Sequence, residues 1–375
     1  KAADMTGWTT GTNGVPVNWT VEEYVDYNKE PLTFKITSGG SINWTALDGS
    51  ETKTKTIDYK KNNGEWVSIT STTTGAKITV NSGDKVQFRG NNAAYCDGGS
   101  SCNMFGGSTA GFEVEGNIMS LIYGDNFATL TTLESAFTFY MLFYNCTGLT
   151  SAENLILPAN SLASYCYSGM FAGCTSLTTA PALPANTLAD NCYTMMFYGC
   201  TSLTTAPELP ATKLVQYCYY NMFQNCTSLK TAPALPAMTL VEGCYAGMLN
   251  GCTSLTTSPK LPATTLAYGC CSGMFVGCTS LTTAPALPAN TLAKSCYSNM
   301  FQGCTSLTTA PSILPAMTLA EDCYSGMFDG CTSLIAAPAL PATTLASNCY
   351  YGMFKGCSSL TTAPFDYLPA MTLAN

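Results

Sequence analysis

Twenty cysteines and no histidine are the first facts of chemical consequence in this 375-residue sequence. Without histidine the commonest general acid–base, the commonest metal ligand and every Ser-His or Cys-His nucleophile pair are gone. Carboxylate or lysine chemistry would remain, yet no paired acids stand apart from the repeat described below. The sequence reads as that of a non-enzyme, with no catalytic residue and no cofactor to assign. Cys96 and Cys102 flank Asp97-Gly98-Gly99-Ser100-Ser101. A glycine-rich loop can bring two Cα atoms within the roughly 4.4–6.8 Å that a disulfide needs, so a local bridge is expected there. With no histidine nearby the same pair is a poor zinc site, and no metal is expected.

The other cysteines recur at fixed spacing. One set precedes Thr-x-Leu or Ser-x-Leu, at 146, 174, 200, 226, 252, 278, 304, 331 and 357; the other opens a Cys-Tyr or Cys-Cys pair, at 166, 192, 218, 244, 270, 296, 323 and 349. Two arrangements are open. An offset pairing joins Cys146 to Cys166, Cys174 to Cys192 and so on to Cys331 with Cys349, leaving only Cys357 and Cys271 over. Alternatively all of them are small buried core residues stacked between copies, as free cysteine often is. A metal-binding ladder has less support, because one pair per copy supplies no four-ligand cluster.

The elements that must position these residues follow from the repeat. The block Leu-Pro-Ala-x-Thr-Leu-Ala-x-x-Cys-Tyr-x-x-Met-Phe-x-Gly-Cys-Thr-Ser-Leu-Thr-Thr-Ala-Pro-x returns every 26 residues, with small insertions such as Ile313. A fixed period of 20–50 residues marks a solenoid, in which each coil buries its one apolar face against the next. Within a copy, Cys192, Met196 and Cys200 are spaced four apart, which predicts one face of a short helix or helical turn ended by Gly199. Cys192 and Cys200 on one helix would be about 12 Å apart and unable to bond. Leu203, Ala206 and Leu209 recur at threes, as on the extended side of a leucine-rich coil. Pro207 and Pro210 remove backbone donors, so the stacked strand must be short.

At these residues the sequence resembles a known family. Met-Phe-x-Gly-Cys-Thr-Ser-Leu-Thr-Thr-Ala-Pro, as in Met170 to Pro181, is similar to the BspA-like leucine-rich repeats of bacterial surface proteins common in gut Bacteroidetes. The resemblance covers roughly two thirds of the chain. It implies a solenoid of short parallel strands and short helices, displayed at the cell surface for adhesion or host-protein binding. The second cysteine and the proline-rich strand depart from the simpler family pattern.

The N-terminal part is a different object. Residues 1–30, rich in Gly, Thr and Asn, read as an arm or linker. From residue 31 period-2 alternation sets in (Leu32, Phe34, Ile36; Ile57, Tyr59; Ile78, Val80; Val86, Phe88), with hairpin turns expected at Asn62-Asn63-Gly64 and Asn81-Ser82-Gly83-Asp84. Five to seven short strands over 31–123 fit a small, loosely immunoglobulin-like β-sandwich, with Phe112, Val114, Ile118 and Leu121 in the last of them. The fold class is thus mainly β plus solenoid. Residues 124–145 are expected to cap the solenoid, and 146–375 to form it. The chain opens on Lys1 and stops at Leu373-Ala374-Asn375 inside a repeat, which predicts a segment continuing beyond 375.

Composition narrows the partners. Hydrophobic residues are 46% and charged residues 10%, while the longest apolar run, Phe137 to Tyr144, is far short of the roughly 18 residues of a membrane span. Net charge is −8 and Arg89 is the only arginine, so nucleic acid is not an expected partner. Positions that vary between copies face away from the shared core. One varying slot precedes Cys-Tyr and another follows Met-Phe; Tyr165, Tyr198, Tyr217, Tyr220 and Tyr268 concentrate in adjoining coils. Tyrosines beside amides suit a protein or glycan ligand. The function expected is non-catalytic adhesion at an extracellular or bacterial cell-surface location, with self-association possible. The rivals are a phage virion component, tail or receptor-binding, and a glycan-active enzyme.

Overall fold

A computed structural model describes residues 25–47, 53–98 and 101–361. Most of the arm expected over 1–30 and the last coil of the 146–375 region lie outside the described residues. Strands form where apolar residues alternate. They are β1 (Leu32–Ser38), β2 (Gly40–Ala46), β3 (Thr56–Lys61), β4 (Val67–Thr70), β5 (Ala76–Val80), β6 (Lys85–Arg89), β7 (Asn103–Met104), β8 (Gly111–Asn117) and β9 (Leu149–Ile156). One sheet has the order β4-β3-β6-β1-β8-β9 and the other β5-β2-β7. Their inner faces share a core in which Phe34 packs on Phe88, Phe105 and Phe112 at 4.7–4.9 Å between centroids, and Trp44 packs on Phe105 and Tyr95.

Three sequence expectations shift here. Asn62 to Gly64 does turn β3 into β4, and the two pair antiparallel. Asn81 to Asp84 is not a hairpin, however: β5 pairs with β2 while β6 pairs with β1 and β3, so this turn carries the chain from one sheet to the other. Leu121 lies not in a strand but in a one-turn helix, α1 (Ser120–Tyr123). Further, β9 comes from the first repeat and runs parallel to β8, from Phe112 beside Leu149 to Asn117 beside Ile156. The repeat region is therefore joined to the N-terminal sheet by backbone ladder. The register permits no side chain at Gly116 (φ 83°), because a Cβ there would run into the Pro31 carbonyl.

The repeats stack as coils, but not with helices. Along 190–200 the backbone N–H groups alternate between two tasks. Cys192, Thr194, Met196, Tyr198 and Cys200 donate to the carbonyl three residues back, at 3.0–3.2 Å; Asn191, Tyr193, Met195, Phe197 and Gly199 donate across to the next coil, at 2.8–3.1 Å. The result is a ribbon of consecutive β-turns with a positive φ at every fourth residue: Asn191 (58°), Met195 (54°) and Gly199 (70°). Each such residue is third in its turn, the position at which a type II turn requires φ above zero. The same series recurs from Phe137, Met141 and Asn145 through Asn348, Gly352 and Gly356. Its period is 4.0, not 3.6. Two residues point in, two point out, and the pattern does not drift.

The inward columns explain the repeat's constancy. Tyr167, Tyr193, Tyr219 and Tyr245 stack ring on ring at 5.8–6.0 Å, as do Phe143, Phe171, Phe197 and Phe223 at 5.3–5.5 Å. Two coils break these columns with Leu249 and Cys271, both buried. The ribbon begins at Phe137, within the stretch expected to cap. Its outer edge is covered by the N-terminal unit, where Tyr95 and Phe105 donate to Thr138 and Leu142 at 3.0 and 2.8 Å. On the opposite side of each coil, isolated parallel bridges link threonines such as Thr205, Thr231 and Thr257. The prolines beside them keep this side from becoming a continuous strand.

Two glycine substitutions separate strain from clash. Gly269 (φ 55°) has open space where a Cβ would go, so Gly269→Ala should cost only the left-handed backbone, about 1–2 kcal/mol. Gly116→Ala adds collision with main chain and should cost more than about 3 kcal/mol. Urea titration of the two variants at neutral pH measures the difference, and equal losses would contradict the register given for β8.

Candidate functional site

The ribbon's outward positions make a face about which the core is indifferent. Two outward residues precede each Cys-Tyr pair, two precede each Met-Phe pair, and two follow it. The second of each two is the positive-φ position, which is why Gly and Asn dominate there. The five tyrosines singled out from the sequence all lie on this ribbon, but the structure gathers only some of them. Tyr165 stacks on Phe137 of the preceding coil, at 4.7 Å between centroids. Tyr198 follows Met-Phe and lies in another column. Tyr217 and Tyr220 meet edge to face at 5.8 Å. Tyr268, 51% exposed, lies two coils beyond Tyr217 in the adjoining column.

Around Tyr217 the structure adds partners that the linear reading did not connect. The Tyr217 hydroxyl donates to Glu242 Oε1 at 2.6 Å, and Gln216 Nε2 donates to the other carboxylate oxygen at 3.4 Å. The hydrogen bond to the carboxylate raises the Tyr217 phenol to about 12. The backbone ties the row together: Tyr217 N–H bonds Glu242 O, Gly243 N–H bonds Tyr268 O, and Gly269 N–H bonds Lys294 O, at 3.0–3.1 Å. Lys294 is paired with Glu321 at 2.9 Å. The signal for Glu242 was present in the sequence, 25 residues after Tyr217. Reading it as a contact requires knowing that each coil donates to the next at that offset.

The thiols form two inward columns. In one, each Sγ donates to a carbonyl of the coil before: Cys174 to Phe143, Cys200 to Phe171, Cys226 to Phe197 and Cys252 to Phe223, at 3.0–3.2 Å. The first member, Cys146, reaches Phe105 O at 3.3 Å and so pins the stack to the N-terminal unit. The offset pairing is corrected by this arrangement. Cys146, Cys166, Cys174 and Cys192 are all free and buried. Cys146 neighbours Cys174, and Cys166 neighbours Cys192, while the Met and Phe columns stand between the two thiol rows. Burial pushes the Cys166, Cys174 and Cys218 thiols up to about 12. Such thiols are poor nucleophiles. Cys96 and Cys102 are bonded to each other, with Cα atoms 4.2 Å apart. Among the described residues no group of three or more Cys, Asp or Glu side chains could hold a metal ion, and no helix is long and apolar enough to cross a membrane.

Comparison with known proteins identifies the repeat. A family model, the BspA type leucine rich repeat region, matches residues 137–256 and 252–367 in six copies. Among solved structures, a leucine-rich repeat protein from Bacteroides ovatus ATCC 8483 is similar, at 17% identity over 67% of this chain and 83% of that one, with a TM-score of 0.24. A comparison with curated proteins finds no match. The family match spans more than half of the chain, beginning at the first residue of the turn ribbon, and the chain belongs to the BspA-type leucine-rich-repeat family.

Proposed function

We propose that this protein is a non-catalytic, extracellular or cell-surface protein that presents the outward face of its repeat solenoid for adhesion to a protein or glycan. One observation carries the reading: inward columns are nearly the same in every coil, whereas the outward ones carry Asp190, Gln216, Glu242, Tyr268, Lys294 and Glu321 in succession. A surface whose residues change freely over a fixed core can acquire specificity without refolding. Rigid presentation lowers the ordering cost of binding through many weak contacts. The two-sheet unit, read as a sandwich over 31–123, acts as spacer or anchor, and the ladder between β8 and β9 makes the joint stiff.

The test is binding of the purified protein to epithelial cell surfaces, extracellular-matrix proteins and a glycan array. Replacing Tyr198, Tyr217 and Tyr220 together by alanine should weaken binding to the partner found by about tenfold or more. Unchanged affinity would remove this face from the site. Absence of binding to every surface, or reproducible turnover of a polysaccharide, would overturn the reading itself.

A further inference from the structure

We infer that the notch bounded by Tyr217, Glu242 and Tyr268 is a subsite for a cationic side chain, a guanidinium or ammonium group offered by a partner protein. The inference rests on the adhesion reading and names the chemistry of one contact within it.

Three observations converge on this notch. First, half of its floor is open. The positive-φ positions of two successive coils are Gly243 and Gly269; the Tyr217 ring lies across Gly243, and nothing occupies the space above Gly269. Second, Glu242 is fixed in place. Tyr217 and Gln216 hold one carboxylate oxygen each, at 2.6 and 3.4 Å, and both are neutral donors, so its negative charge is not cancelled. The nearest cation along the row, Lys294, is already engaged by Glu321 at 2.9 Å. Third, the walls are tyrosines: Tyr217 set edge-on to Tyr220 and Tyr268 half exposed. Aromatic faces attract cations, and a neighbouring carboxylate adds to that attraction.

The complementarity is one of charge: a carboxylate fixed by the Tyr217 hydroxyl, with Tyr268 one coil further along its row, calls for a positive group. A neutral sugar could donate hydroxyls to Glu242 but would leave its charge unbalanced.

The test uses the whole chain and two probes, acetyl-arginine amide and a hexa-arginine peptide, followed by calorimetry and by tyrosine-ring NMR shifts at physiological ionic strength. Ring shifts of Tyr217 and Tyr268 with the small probe are expected. Glu242→Gln and Tyr268→Ala should each weaken the peptide by roughly threefold to tenfold. Asp329→Asn removes the same charge from another column and should change little. Equal weakening by Asp329→Asn would show general attraction to an acidic protein and overturn the subsite. If neither probe binds while binding to cells or matrix persists, the subsite is wrong and the adhesion reading stands. If both are lost, the adhesion reading fails as well.

Discussion

In reducing buffer the protein should lose stability steeply above about pH 9 and unfold within roughly one further pH unit. The cause is the thiol columns. Burial raises more than a dozen of these cysteines above their ordinary value, several to about 12, whereas the same thiols in an unfolded chain ionise near pH 8.5–9. The folded form therefore keeps protons that the unfolded form has released. Below the unfolded-state value both forms are neutral and stability does not depend on pH through these groups. Above it, each thiol ionised only in the unfolded chain removes about 1.4 kcal/mol per pH unit. A dozen acting together remove more than about 15 kcal/mol per unit, which matches or exceeds the stability of an ordinary domain. Buried tyrosines such as Tyr167 and Tyr193, also raised by burial, add to the loss near pH 10. Urea midpoints followed by circular dichroism between pH 7 and 10, under strict exclusion of oxygen, measure it. A midpoint constant across that range would show that the columns are not buried free thiols.

Phe197→Ala should produce the second large loss, about 3–5 kcal/mol. Its ring is fully buried and stacked at 5.5 Å on Phe171 and on Phe223, so truncation weakens two coil interfaces at once. Because stacked repeats interact only with their neighbours, the damage should localise. Hydrogen exchange should quicken for the N–H groups of Tyr193, Phe197 and Gly199, which cross to the following coil, more than for the equivalent groups near Phe301. A uniform loss of protection along the stack would contradict nearest-neighbour coupling.

The repeat, its register and its inward residues could be read directly from sequence, because a 26-residue period imposes the same chemistry nine times. The local geometry was not. Cysteine and methionine spaced by four look alike on a helix and on a run of turns, since over two turns 3.6 and 4.0 differ by less than one residue. What distinguishes them is Gly or Asn at every fourth outward position, as in Gly243, Gly247 and Gly251, a pattern that in a helix interior would be costly. The thiol arrangement was one of two left open, and the arithmetic of matching pairs favoured the offset bridges over the free thiols that the structure shows. Only the offset of coil on coil shows that Cys146 meets Cys174 and not Cys166. On the candidate site, the varying slots did locate Tyr217 and Tyr268, while the bond from Tyr217 to Glu242 joins residues whose spacing has no meaning until the coils are stacked. In the N-terminal unit, alternation marked β1, β3, β5, β6 and β8 but missed β2 and β7 and gave no partners, and β9 could not have been assigned to that sheet from a segment that reads as repeat.

The alternating N–H groups have an electrical corollary. Five peptide groups in each coil, Tyr165, Tyr167, Gly169, Phe171 and Gly173 in one of them, donate toward the next coil, and every coil of the ribbon does so in the same sense. Their dipoles add along the stacking axis as they do along an α-helix, but spread over a slab. The sign is the reverse of the helical one: carbonyls face the N-terminal unit, and amide protons face the end toward Cys357. The slab thus has a positive pole at its C-terminal side and a negative pole against the sheets, a polarity set by main chain alone. Charged groups near either pole are biased accordingly, whatever side chains the outward columns carry.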